Sequence, residues 1–233
     1  MNVLITGASK GIGKAIAIEM AKNGHNLALC ARNIQDLEVL KSQIPQAHKQ
    51  QIIFIGACDC GVKTQVSAFT QLAAKALGNI NVLVNNAGIF KPSFILDEAD
   101  DILLSQIQTN LLSAYYFYKE IGKNMRSNGA GHIFNICSVA SIETLAHAGS
   151  YCVTKAAMLS LNNVMREELK KYGVKVTAIL PGATFTHSWE GLTNVPKNFV
   201  QPQDIAMAIT HTLQMSAHAY TEQIIIKSLL VQS

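Results

Sequence analysis

The segment that most constrains how this chain can fold is TGASKGIG, Thr6 to Gly13. It directly follows a short apolar run, Val3–Thr6, and leads into KAIAIEMAKNG, which has a helical pattern. Glycines at such a junction allow a tight turn and a close approach of backbone to ligand, and the free N–H groups of the helix start attract an anionic phosphate. A glycine trio is weak evidence by itself, but a strand before it and a helix after it supply the required context. Gly7, Ser9, Lys10, Gly11, Ile12 and Gly13 are therefore the residues expected to cradle a nucleotide.

Short β-rich apolar runs recur along the chain at Val3–Thr6, Leu27–Ala31, Ile52–Gly56, Val82–Val84, His132–Ile136, Val174–Leu180 and Gln223–Lys227, with helical patterns between most of them. Strands that are apolar throughout belong inside a parallel sheet covered on both faces. The pattern predicts one α/β domain over 1–233: a doubly wound parallel sheet of about seven strands with helices on both faces. The clearest helix carries Met158, Leu161, Met165, Leu169 and Tyr172 on one side and stops at Gly173. The one long irregular stretch, 186–201, is expected to be a substrate loop.

Composition narrows the function classes. With 233 residues and 49% apolar content the chain can bury a substantial core. It contains no run of eighteen apolar residues, so a soluble, cytoplasmic protein without a membrane partner is expected. The net charge of +4 comes without a basic cluster, which argues against nucleic acid and is accounted for by a phosphate-bearing small molecule. The five cysteines, Cys30, Cys58, Cys60, Cys137 and Cys152, lack paired CxxC spacing. They read as small buried hydrophobes in a reducing compartment, with no metal site. After the second strand, Ala31 stands where an NAD-selective fold would offer a carboxylate to the ribose, and Arg32 follows. A guanidinium grips a 2′-phosphate, with Lys10 as a second positive charge, so NADP(H) is the expected cofactor.

Tyr151 and Lys155, in YCVTK, lie one helical turn apart on the same stripe. Five features then occur in order: TGASKGIG, CDC at Cys58–Cys60, NNAG at Asn85–Gly88, Ser138 thirteen residues before Tyr151, and YCVTK followed by Pro181–Gly182. Across essentially its whole length the sequence closely resembles the short-chain dehydrogenase/reductase family. The resemblance implies that Asp59 would contact the adenine and that Asn85, Ala87 and Gly88 would line the cofactor cleft. Pro181, Gly182, Thr184 and Thr186 would hold the nicotinamide carboxamide. Tyr151 would be the acid for ketone reduction, Lys155 would bind the ribose and favour phenolate, Ser138 would donate to the substrate oxygen, and Asn110 would position a water that renews the proton.

Two departures from the family pattern, Cys137 and Ser113, replace small residues with small residues. His147, His187 and Trp189 are candidate substrate contacts. The segment PGATFTHSW is similar to sepiapterin-reductase-like members, while the layout equally resembles 3-oxoacyl-carrier-protein reductases. A small-molecule or carrier-linked carbonyl is the expected substrate: a diketone, a pterin side-chain ketone or a 3-oxoacyl group. The competing function is a non-catalytic NADP(H)-sensing regulator on the same fold, which would have no use for Ser138, Tyr151 and Lys155 together. The apolar surface of the helices near 98–128 and 151–172, including YYFY at Tyr115–Tyr118, points to a homodimer or homotetramer.

Overall fold

The computed structural model describes residues 1–45, 47–186 and 199–229. Seven strands form one parallel sheet: β1 (Asn2–Thr6), β2 (Asn26–Ala31), β3 (Ile53–Ala57), β4 (Val82–Asn85), β5 (Gly131–Ile136), β6 (Val174–Pro181) and β7 (Gln223–Ile226), in the order β3-β2-β1-β4-β5-β6-β7. The expected seven strands are all present, with no end shifted by more than a residue. Inner strands are apolar at consecutive positions because each face has its own helical layer. Val3 and Ile5 pack with α1 (Gly11–Lys22), α2 (Ile34–Gln43) and α8 (Pro202–Gln214). Leu4, Ala28, Cys30 and Leu83 face the other side, against α3 (Lys63–Leu77) and α7 (Gly149–Lys170). Strand β7 is the exception: at the sheet edge its residues alternate between exposed and half-buried.

Chain order reverses between β1 and β4, which pair through Val3–Val82, Leu4–Leu83 and Ile5–Val84. Connections leave the two strands in opposite directions there, so a crevice opens beyond their carboxyl ends. The glycine turn follows β1 and the NNAG segment follows β4. Two motifs nearly eighty residues apart in sequence thus meet at one opening.

The predicted helix over 98–128 is not uniform. Helices α4 (Asp101–Ile107), α5 (Ser113–Phe117) and α6 (Lys123–Asn128) are joined by two π-helical turns, Gln108–Leu112 and Tyr118–Gly122. A π-turn inserts one residue and rotates the helix downstream of it, a feature often found at functional sites. The first carries Asn110; Ser113, just after it, donates from its hydroxyl to Thr109 O at 2.6 Å. Of the YYFY run, Phe117 is fully buried whereas Tyr115 is 41% exposed, so only part of it serves the core. Helix α7 ends at Lys170, earlier than the expected stop at Gly173, and Tyr172 lies in the turn beyond it; Gly173 there has φ +72°, and a Cβ on it would meet Gly129 O at 2.9 Å.

Candidate active site

The glycine turn is held from below by a residue absent from the sequence-based site. Asn86, the second residue of NNAG, donates from Nδ2 to Thr6 O at 2.9 Å and Gly7 O at 3.0 Å, while its N–H donates to Thr6 Oγ1. Each of the three glycines has a steric reason. Gly7 has φ +62°, and a Cβ there would meet Ala87 Cα at 2.9 Å. Gly11 has φ +54°. Gly13 lies within α1, and a Cβ there would come within 2.4 Å of Gly7 O and 2.5 Å of Asn86 Nδ2. Gly7 and Gly11 supply the positive φ of the turn and Gly13 the close packing of α1 against it, the arrangement of a pyrophosphate cradle.

Beside this turn an open cleft of about 460 Å³ is lined by Ser9, Lys10, Gly11, Asp36, Phe185 and Thr186, among others. Lys10, expected as a second positive charge, forms an ion pair with Asp36 at 3.3 Å, so part of its charge is already compensated. Arg32 is exposed at the end of β2, and no ion pair engages it among the described residues. At the end of β3, Asp59 Oδ1 accepts from Gly61 N at 2.9 Å, and Asp59 N–H donates to Gln65 Oε1.

Asn85 differs from expectation. Its side chain is buried in the sheet rather than facing the cleft: Nδ2 donates to Asn135 Oδ1 at 2.8 Å, and Asn135 Nδ2 donates to Asn162 Oδ1 at 2.9 Å. This asparagine chain ties β4 and β5 to α7. Ala87 and Gly88 follow at the crevice, where a Cβ on Gly88 would lie 3.3 Å from Asn110 Oδ1 and 3.7 Å from Lys155 Nζ. Glycine there leaves room above both side chains.

The proposed catalytic side chains come from three elements. Asn110, buried on its π-turn, accepts from Ile89 N at 2.7 Å and donates from Nδ2 to Ile89 O and Thr154 Oγ1. It thereby fastens the strand extension after β4 to α7. Lys155 is buried except for 6% of its surface and donates from Nζ to Ile136 O at 2.9 Å, at the carboxyl end of β5. Its ammonium lies 5.7 Å from the centroid of the Tyr151 ring. Ser138, two residues beyond Ile136, accepts at Oγ from Ala140 N at 3.1 Å and so caps the short 3₁₀ turn Val139–Ser141. That contact leaves its hydroxyl proton for another acceptor. Phe90, which had no sequence signal, packs edge-to-face on Tyr151 with centroids 4.8 Å apart.

Neighbouring residues complete the setting. The Cys137 thiol is pushed up to about 11 by burial, with the Lys155 charge acting in the opposite direction. His147 is exposed on the turn preceding α7. Pro181 ends β6, Gly182 N–H donates to Ile226 O at 2.8 Å, and Thr184 is buried with Oγ1 donating to Gly182 O. A bridge between Thr184 and Val200 closes the base of the expected substrate loop. His187 and Trp189 fall outside the described residues, as does most of that loop. Phe199, at its return, is buried.

The model of the short chain dehydrogenase family matches residues 1–195, most of the chain, including the glycine turn, Asn110, Ser138, Tyr151 and Lys155. The chain belongs to the short-chain dehydrogenase family. Like other members it is an oxidoreductase fold built to hold a nicotinamide cofactor, and the glycine cradle and the space over Gly88 fit one. This short-chain dehydrogenase is 30% identical to an uncharacterized oxidoreductase of Staphylococcus aureus over 224 residues, covering 96% of this chain and 95% of that one. An uncharacterized oxidoreductase of Staphylococcus haemolyticus matches equally, also 30% over 224 residues with the same coverage. Among solved structures, an alcohol dehydrogenase of the archaeon Thermococcus sibiricus complexed with 5-hydroxy-NADP superposes with a TM-score of 0.92 at 26% identity, covering 100% of this chain and 98% of that one. A metagenomic short-chain oxidoreductase in complex with NADP gives 0.84 at 25% identity, covering 99% and 98%.

Proposed function

We propose that this short-chain dehydrogenase is an NADP(H)-dependent carbonyl reductase that interconverts a ketone and a secondary alcohol. The observation that carries this reading is the buried Lys155 ammonium beneath the ring of Tyr151, at the mouth of the crevice closed by the glycine turn. A regulator that only sensed the cofactor would gain nothing from burying a cation beside a phenol, because burial of charge is costly unless it is used or compensated. NADP(H) is favoured by exposed Arg32 where a carboxylate would select NAD, and similar structures carry NADP or a derivative of it.

When bound, the reduced cofactor supplies hydride to the carbonyl carbon. Tyr151 gives its hydroxyl proton to the oxygen on which negative charge develops, and takes it back in the reverse direction. Lys155 favours the negative charge left on the Tyr151 oxygen. Ser138 donates a hydrogen bond to the substrate oxygen. Asn110 holds Ile89 and Thr154 in register, which fixes both the floor of the crevice and the first turn of α7. Phe90 is an apolar wall against the phenol, suited to a substrate carbon chain rather than a second charged group.

The substrate class is a small or elongated polar carbonyl, such as a diketone, a pterin side-chain ketone or a carrier-linked 3-oxoacyl group, and the working unit is a homodimer or homotetramer. A carbonyl panel assayed by NADPH oxidation tests the reading. Turnover is expected, and Tyr151→Phe should abolish it while leaving NADPH affinity nearly unchanged. Tight NADPH binding with no turnover on any ketone would replace the reductase with the sensor.

A further inference from the structure

Three cysteines that the sequence scatters over thirty residues meet in the interior. Cys30 projects from β2 toward the α3 face, and Cys58 and Cys60 flank Asp59 in the turn from β3 to α3. The sulfurs all lie within 4.8 Å of one another, with Cys30 Sγ and Cys60 Sγ 3.8 Å apart. Their relative exposures are 0%, 1% and 6%. A metal–thiolate bond of about 2.3 Å puts three sulfurs arranged trigonally about one ion roughly 4 Å apart, so the observed triangle needs only a small contraction.

The surroundings restrict which ion would fit. Leu4, Val66, Phe69 and Phe117 share the apolar cluster with the three thiols. The nearest carboxylate in sequence, Asp59, is already engaged at Oδ1 by Gly61 N. No histidine or carboxylate joins the triangle among the described residues. A structural zinc site closes with four ligands, whereas soft thiolates alone, at low coordination number, select copper(I).

Helix α3 starts at Lys63, its N-cap Val62 offers no side-chain acceptor, and its first turn contains no acidic residue. The positive end of that helix therefore lies two to three residues from Cys60 without competition.

We propose that Cys30, Cys58 and Cys60 form a buried three-thiolate site for a soft monovalent cation, copper(I), directly beneath the turn that carries Asp59. On binding, three metal–sulfur bonds form and the protons of the ligating thiols pass to solvent, with no change in the oxidation state of metal or sulfur. Occupancy would pin β2 to the β3–α3 turn. Neither Tyr151 nor the substrate takes part, so the site stands independently of the carbonyl reductase reading.

The test is anaerobic titration of the full-length, reduced protein with copper(I) in competition with bicinchoninate, followed by X-ray absorption at the copper edge. One equivalent should be withdrawn from the chelator, with three sulfur neighbours and no nitrogen or oxygen neighbour. Cys58→Ser and, separately, Cys60→Ala should each weaken copper retention at least tenfold, while Cys137→Ser/Cys152→Ser retains it. NADPH titration and circular dichroism show whether each variant is folded; if a variant is not, the sulfur count on the wild-type protein decides. Failure to withdraw copper, a fourth light-atom ligand, or retention unchanged in folded Cys58→Ser and Cys60→Ala would each overturn the proposal.

Discussion

Replacing Gly13 with alanine sets two effects of opposite sign against each other at one atom. Gly13 is inside α1 and has no positive φ, so alanine there should stabilise the helix by about 0.8–1.0 kcal/mol. The added Cβ, however, would sit 2.4 Å from Gly7 O, 2.5 Å from Asn86 Nδ2 and 3.0 Å from Ala8 Cα. Two of those neighbours are backbone atoms of the turn, which cannot rotate away. Overpacking of this kind costs about 1–3 kcal/mol. The displaced Nδ2 also loosens its bonds to Thr6 O and Gly7 O, each worth about 1 kcal/mol. Steric cost outweighs propensity, and the net expectation is a loss of about 2–3 kcal/mol. For a chain of this length that corresponds to a Tm lower by about 5–10 °C. NADPH should bind at least about tenfold more weakly, equivalent to about 1.4 kcal/mol, because the shifted atoms belong to the proposed phosphate cradle. Urea denaturation and NADPH fluorescence titration of Gly13→Ala, Asn86→Ala and the double variant provide the assay. The double variant should lose less than the sum of the singles, since removing Nδ2 relieves one of the clashes. A Gly13→Ala protein as stable as wild type, with unchanged NADPH affinity, would refute the reasoning.

Other expectations concern single groups. Arg32→Asp should weaken NADPH and relatively favour NADH by about 1.5–3 kcal/mol, measured as the ratio of the two dissociation constants. Asp36→Asn should release Lys10 and tighten NADPH by up to about fivefold, the modest worth of an exposed ion pair, with the gain shrinking in high salt. His132 is lowered to about 3 by burial and then by Lys175, against an ordinary value of 6.5. Between those values the unfolded chain binds a proton that the native state refuses, so stability is complete above about pH 6.5 and falls on acidification by up to about 1.4 kcal/mol per unit. Denaturation of His132→Gln across that range should give a shallower slope than wild type, and equal slopes would remove His132 from the acid response. Light scattering at micromolar concentration should show a dimer or tetramer, and a monomer alone would count against the proposed assembly.

Local sequence determined the parts of this protein whose chemistry is local. TGASKGIG had to be a turn between strand and helix because glycine alone accepts positive φ at Gly7 and Gly11 without strain. Tyr151 and Lys155 had to share a stripe because 3.6 residues complete one turn, and strands apolar at every position had to be covered on both faces. Tertiary structure decided what depends on register between distant segments. The pairing of Cys30 with Gly56 across β2 and β3 brings Cys58 and Cys60 beside Cys30, although no spacing along the chain announces a cluster. The pairing of Asn85 with Asn135 draws that side chain into the sheet and leaves Asn86 to hold the glycine turn. Lys10 meets Asp36 only because α1 and α2 lie on the same face of the sheet, and Phe90 meets Tyr151 only because the segment after β4 passes the start of α7. Parallel strands are joined by long crossovers, so neighbours in the sheet are remote in sequence and their contacts are set by packing rather than by any local pattern.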